Sequence, residues 1–191
     1  MRRVFCVVAL VLTATCLFGK FSSAADQPGI APQTVADYIH AVIEAHRTFY
    51  TVHIVERQQK AGGAVAAENW RAKKNVLPLP AQFLMETNDL ATKTGTRVRY
   101  RLISLWPINP INGPDSEPEK KGLEAVRAHP ERSVTGTVKD GGETYFQAIY
   151  ADRAVSQACI SCHNAHPKSP RKDFKMDDVM GGVVIEIPLG K

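Results

Sequence analysis

The stretch "CISCHNAHPKSP", residues 159–170, decides how the chain is to be read, because it packs two cysteines, two histidines and two prolines into twelve positions. Cys159 and Cys162 stand about one helical turn apart, so a helix presents both thiols along one edge. Three chemistries use such a pair: a redox dithiol, a zinc clamp, and covalent attachment of a haem. His163, directly after the second cysteine, makes the motif C-x-x-C-H, the attachment pattern of c-type haem. There two thiols add across the two porphyrin vinyl groups, and the next residue offers an imidazole to the iron from the proximal side.

The competing readings remain on the page. Zinc would enlist Cys159, Cys162, His163 and His166, whereas structural zinc usually draws its ligand pairs from separate segments. A dithiol oxidoreductase needs the pair at the start of a helix after a strand, in βαβ order. Here "YADRAVSQACISCHN" reads instead as a short helix leading into the motif, with no parallel βαβ order around it.

At the other end, "MRRVFCVVALVLTATCLFGKFSSAAD" has two arginines, an apolar run from Val4 to Phe18 and a small-residue exit, the tripartite form of a secretory signal. The run is shorter than the roughly 20 residues a spanning helix needs. Residues 1–24 are therefore expected to be a signal peptide cleaved near Ala24 or Ala25, and 25–33 a short linker. A single domain is expected over 34–191. Export implies a periplasmic location, with membrane attachment only if the segment stays uncleaved. Its removal takes Arg2, Arg3 and Lys20 and no acidic residue, so the formal charge falls from +5 to +2. It also takes Cys6 and Cys16, leaving Cys159 and Cys162 as the only thiols. The nearly balanced charge, with no aromatic–basic interleaving, argues against a nucleic-acid partner.

The first expected element is a long amphipathic helix, "TVADYIHAVIEAHRTFYTVHIVERQQK", capped by Thr34 and ended by Gly62 and Gly63. Its apolar stripe runs through Val35, Ile39, Val42 and Phe49 with the neighbouring Tyr38, Ile43 and Tyr50, and the same spacing carries His46 and His53 toward the interior. His40 falls with Glu44 and Arg47 on the polar side, as a solvated residue. "LPLPAQFLMETNDLATKTG" reads as a proline-initiated helix with Phe83 and Leu84 inward. "TRVRYRLISLW" alternates as a strand, and the prolines of "WPINPINGPDSEPE" impose an extended loop suited to wall a pocket. "EPEKKGLEAVRAH" is a further helix, "RSVTGTVKDGGETYFQAIYAD" a hairpin turning at Asp140-Gly141, and "GGVVIEIPL" a final strand. Helices in front, antiparallel strands in the middle and a terminal strand give an α+β class.

The stretches "LISLWPINPINGPDSEPEKKGL" and "YADRAVSQACISCHNAHPKSPRKDFKMDDVMGGVVIEIPL" resemble the Tll-type c-haem domain family, from near Thr34 to about Leu189. The "WPIN" loop and "CHNAHPKSPRKDFKMDDVMGG" are the most specific parts. The resemblance implies a PAS-like fold, a central antiparallel sheet flanked by helices, holding one covalent haem c. It makes Cys159 and Cys162 the thioether sites and His163 the proximal ligand. The family's founding type is associated with a cysteine thiolate opposite the histidine, from the first-helix region; this chain has no third cysteine after the leader. His53 is then the leading candidate for the distal position and His46 the alternative, ahead of Met85, Met176 and Met180. Lys168, Arg171, Lys172 and Lys175 are candidates to pair with haem propionates, and Gly181 and Gly182 to let the backbone approach the macrocycle.

The expected function is an exported c-type haem protein acting as a redox or gas sensor or a single-electron carrier. Its partners would be a redox or signalling protein and a small diatomic ligand. An alternative is a small haem enzyme, a peroxidase or reductase with an open distal site where His46 acts as acid and base. A dithiol–disulfide oxidoreductase is the third reading. No G-x-S-x-G or H-E-x-x-H motif is present.

Overall fold

The computed structural model describes residues 29–190. The expected signal peptide, its cleavage site, Cys6 and Cys16 lie outside the described residues. The first element is helical from Pro32 to Lys60, in three parts: α1 (Pro32–Phe49), a π-helical stretch Tyr50–Glu56, and α2 (Arg57–Lys60). Pro32 occupies the first turn, where its missing N–H costs nothing. The cap is Ala31, without a side-chain bond, and not Thr34. Gly62, at φ +66°, ends the run.

Short strands β1 (Val65–Ala66) and β2 (Val76–Leu77) pair in parallel ahead of α3 (Pro80–Thr92). Then come β3 (Arg99–Ile103), the proline loop, α4 (Glu117–Ala128), β4 (Val134–Asp140), β5 (Glu143–Arg153), α5 (Gln157–Ala165) and β6 (Val179–Pro188). The four long strands form one antiparallel sheet in the order β3-β6-β5-β4. The last strand in sequence thus lies inside the sheet, and its β-branched run is buried on both faces by side-chain alternation. The hairpin forms, but its two-residue turn is Gly141-Gly142, at φ +57° and +81°, one position beyond the expected Asp140-Gly141, because Asp140 pairs with Glu143.

Each face of the sheet has its own core. Ala36 and Ile43 of α1 and Leu84 of α3 pack on Tyr150, Val183 and Ile185. On the other face Leu123 and Val126 of α4 pack on Ile103, Ile149 and Val184. At the sheet's end, Ile160 of α5 joins Ala154, Phe174 and Met180 in a third cluster. The α+β architecture, an antiparallel sheet flanked by helices behind a long N-terminal helix, matches the class expected from sequence.

Two local expectations are corrected. The residues before the cysteine motif are not helical: Tyr150–Arg153 continue the ladder with β6, and α5 starts only after Ser156, whose hydroxyl accepts from the Ala158 N–H at 3.0 Å. The long helix is also rotated from its expected phase. Its buried row is Ala36, Ile43, Arg47, Thr51 and Val55, whereas Tyr38, Val42 and Phe49 are exposed. His46 and His53 lie with the exposed stripe and not toward the interior. His40 is the half-buried histidine, stacked on Tyr150 with ring centroids 4.0 Å apart.

Candidate functional site

Helix α5 is held in place at both ends. Ser156 caps its start and donates to Glu56 Oε2 at 2.6 Å, pinning the motif helix to the π-helical stretch. In its last turn, Asn164 forms a two-way clamp: its Nδ2 donates to Phe174 O at 3.0 Å, and its Oδ1 accepts from the Phe174 N–H at 3.0 Å. Between these anchors Cys159, Cys162 and His163 line a cavity of about 550 Å³. Its other walls are the long helix at Arg47, Val55 and Gln59, the start of α3 at Leu79 and Pro80, the end of β3, the proline loop, and β6 at Met180. Ile108, Asn109 and Asn112 of the proline loop reach the cavity, so that loop is a wall as well as a connector. The volume falls within the range of small-molecule and cofactor sites.

The electrostatics favour uncharged ligand atoms. Burial pushes the Cys159 thiol up, with Asp152 adding to the rise and Arg47 opposing it. Burial likewise pushes the Cys162 thiol up. The His163 imidazole is shifted down, chiefly by burial and further by Arg47 and His166, so it stands neutral with a lone pair available. Its ring meets Phe174 edge-on at 5.8 Å, and its Nδ1 is buried without a hydrogen-bond partner. A buried nitrogen left unpaired is rare in native folds and marks a position where a further ligand would be accommodated.

Facing α5 is a feature that sequence reasoning missed. Arg47 and Asp152 form a buried two-pronged ion pair, with Nη1–Oδ1 at 2.6 Å and Nη2–Oδ2 at 2.9 Å, and both residues line the cavity. Arg47 Nε is buried and unpaired. Burial pushes the Asp152 carboxyl up while the guanidinium pulls against it. Asp152 stays in the ladder opposite Gly181, and the register shifts just after it, where Arg153 pairs with Val179 and Met180 is the extra residue of β6. The available signal was the i, i+4 row Ile43, Arg47, Thr51, Val55, interrupted by two polar members and so passed over for the more apolar outer stripe.

The remaining sequence candidates fall in different places. His46 and His53 do not line the cavity; His53 borders a shallow groove with Glu44 and Phe49 on the outer face of α1. Of the methionines, Met180 is buried on the cavity wall, whereas Met85 and Met176 are exposed. His166 also lines the cavity. Arg171 is engaged elsewhere: it pairs with Asp173 at 2.7 Å and Asp178 at 3.0 Å and covers Trp106 and Phe174. Lys168, Lys172 and Lys175 are exposed. Gly181 is a glycine because a Cβ there would run into the Ile103 carbonyl, and Gly182 because one would meet Leu123 and Ile149. Close packing accounts for Gly182, whereas Gly181 also lines the cavity. Among the described residues no group of three or more His, Cys, Asp and Glu is arranged to hold a metal ion, so the four residues of the zinc reading do not converge.

Comparison with known proteins places this arrangement. No curated protein sequence matches the chain. Its fold is similar to that in the crystal structure of the cyanobacterial heme-protein Tll0287, with a TM-score of 0.51 at 17% identity, covering 84% of this chain and 98% of the other. A family model described as Tll0287-like matches residues 28–188, which takes in the sheet, the long helix and the cysteine motif. The chain therefore belongs to the Tll0287-like family.

Proposed function

We propose that this protein is an exported c-type haem protein that holds one haem in the cavity through Cys159 and Cys162, with His163 as axial ligand. The observation that carries the reading is the convergence of these three residues, from one short helix, on one largely apolar cavity where the His163 imidazole is neutral and has a buried, unpartnered nitrogen. When bound, haem supplies a one-electron couple and, at an open axial position, a site for a diatomic ligand. The residues present fit such a group. Cys159 and Cys162 would hold the group as thioethers, each thiol supplying both the sulfur and the hydrogen that a vinyl group would take up, so the attachment would need no oxidant. His163, whose ring Phe174 holds edge-on, would supply the imidazole lone pair to the iron. Val55, Leu79 and Ile108 exclude water, and Arg47 sets a positive charge in the wall beside an ionisable partner, Asp152.

Family membership and the likeness to a solved heme-protein support the haem reading. The protein acts as a redox or gas sensor or a single-electron carrier, meeting a redox or signalling protein in the periplasm after residues 1–24 direct export. The dithiol alternative is disfavoured by two thiols pushed up where a reactive pair needs one pulled down, and by antiparallel β5 and β6 where that fold needs a parallel crossover. The enzyme alternative loses its acid–base group, since His46 is outside the cavity.

The test is export from a host with haem-maturation machinery, followed by a denaturing gel stained for haem and a pyridine adduct spectrum. Wild type is expected to stay coloured after denaturation, with the adduct of two saturated vinyls. Replacing both cysteines by alanine abolishes the bound colour, and His163→Ala keeps the attachment but changes the spectrum. Matured protein whose mass shows no added tetrapyrrole overturns the reading.

A further inference from the structure

The walls of the cavity are unequal in what they offer an iron atom. His163 and His166 come from α5 and its cap, and Met180 packs with Ile160 and Phe174 in the cluster behind that helix. The wall facing α5 is built from Arg47, Val55 and Gln59 of the long helix and from Leu79, Pro80 and Ala81 at the start of α3. None of these is a histidine, a methionine or a cysteine, and only Arg47 is charged. Arg47 is 8% exposed, and Asp152 grips its two terminal nitrogens at 2.6 and 2.9 Å. A guanidinium has no lone pair for a metal, stays charged, and carries more N–H donors than one carboxylate can take. Its Nε is buried without an acceptor, and among the described residues only Asp152 accepts from Nη1 and Nη2. Apolar residues of the same volume often serve stability as well as a buried ion pair does, so the pair asks for a further use.

We infer that Arg47 is the binding residue for a small mononegative anion taken up on the side of the cavity opposite His163, with Asp152 as the residue that positions the guanidinium. The inference rests on the haem reading above. On that reading the position opposite His163 finds no side-chain ligand on the facing wall and is left to an exogenous one. Donors fixed in a site shielded from water favour an anion, because the charge is little screened there and the guanidinium needs no reorganisation. Glu68, the other acid on the lining, is exposed, so water screens its repulsion. The polarity and donors of a distal pocket decide between ligand binding and electron transfer. An open position beside a charged donor belongs to ligand sensing, which separates the two roles left together above.

The test is optical titration of the matured ferric protein, at measured haem content, with sodium azide as the anion and imidazole as a neutral ligand, and of the reduced protein with carbon monoxide. Wild type is expected to bind all three. Arg47→Met combined with Asp152→Leu, shown to be folded by circular dichroism, is expected to lose azide affinity by roughly tenfold or more, the effect of one charge-assisted hydrogen bond, and to bind imidazole like wild type. Should that variant not fold, Asp152→Asn decides: it keeps the guanidinium, removes its counter-charge, and is expected to tighten azide and leave imidazole unchanged. Azide and imidazole weakened alike, as when Arg47 only seats the macrocycle through a propionate, overturns the inference, and so does azide that Asp152→Asn fails to tighten. A coloured wild type that binds neither azide nor carbon monoxide overturns it too, since a side chain then fills the position; a ferric thioether band lost in Met180→Leu identifies that side chain. Those failures leave the functional reading intact. A matured protein without colour ends that reading, and this inference with it.

Discussion

Two helices face each other across the cavity, and they bring chemistry to it in opposite ways. Helix α5 places Cys159, Cys162, His163 and His166 on the wall within a single short segment. The long N-terminal element, more than twice its length, contributes Arg47, Val55 and Gln59, and of these only Arg47 carries charge. The motif helix can be read from adjacent letters because its groups act together at close sequence spacing. The covering helix acts through one residue whose partner, Asp152, lies 105 positions away. Local motifs announce themselves, and long-range pairs do not.

The largest expected effect breaks the covering side. Arg47→Met leaves Asp152 buried without its guanidinium and is expected to cost about 3–5 kcal/mol in urea denaturation, while Arg47→Met with Asp152→Leu recovers most of it. The loss has a pH signature. Burial already pushes the Asp152 carboxyl up. Without Arg47 the folded state favours the protonated acid still more, so the variant is relatively stable below about pH 4 and loses stability as pH rises above it. A loss that is flat with pH would show that Arg47 serves packing and not charge.

A smaller effect is expected on the motif side. Asn164→Ala removes both bonds to the Phe174 backbone and strands an N–H and a carbonyl, at about 1–3 kcal/mol by chemical denaturation. It should also disturb the Phe174 edge that meets His163, and a haem spectrum identical to wild type would argue that α5 is held by its cap alone.

Smaller again is a titration on the inner side of α1. His40 is shifted down, mainly by burial against Tyr150, with Glu44 and Asp37 opposing. The folded state prefers the neutral ring, so this stability is whole above about pH 6.5 and is lost as pH falls below it. His40→Phe keeps the stack on Tyr150 and should flatten the decline of Tm between about pH 7 and pH 5. The smallest effect belongs to the outer side: His53→Ala is expected to change monomer stability by less than about 0.5 kcal/mol and to leave the absorption spectrum of the matured protein unaltered. A changed spectrum would mean that the outer face of α1 reaches the site.

The order of strands and helices was largely legible because alternation, prolines and paired glycines are local signals. Strand β3, the β4–β5 hairpin, α3 with its leading proline, and β6 all follow from neighbours within a few residues. The three motif residues on the cavity wall, Cys159, Cys162 and His163, were legible for the same reason. The phase of the long helix was not. An α-helix advances about 100° per residue, so positions four apart drift around the barrel. Through Tyr50–Glu56 the bonds run i→i+5, the turn widens, and the row Ile43, Arg47, Thr51, Val55 stays aligned on one side. Thr51 fits that row by donating its hydroxyl to Arg47 O at 2.8 Å. Counting apolar residues could not find a row with an arginine and a threonine in it. It grouped Val35, Ile39 and Ile43, which pack toward the sheet, with Tyr38, Val42 and Phe49, which are exposed. Tyr150–Asp152 read both as the end of the hairpin and as the start of a helix into the motif, and pairing with β6, about 30 residues further on, makes them strand.

The bond from Ser156 to Glu56 joins residues 100 positions apart, and the Arg47–Asp152 pair spans 105. Contacts of that separation carry a large loop-closure penalty and form late during folding. The chamber is therefore sealed only when the early and late portions of the polypeptide finally meet. On the reading proposed above, a bulky planar guest would enter before those two contacts close, while the thiol-bearing helix still stands uncovered and no hinged door has to be built for it.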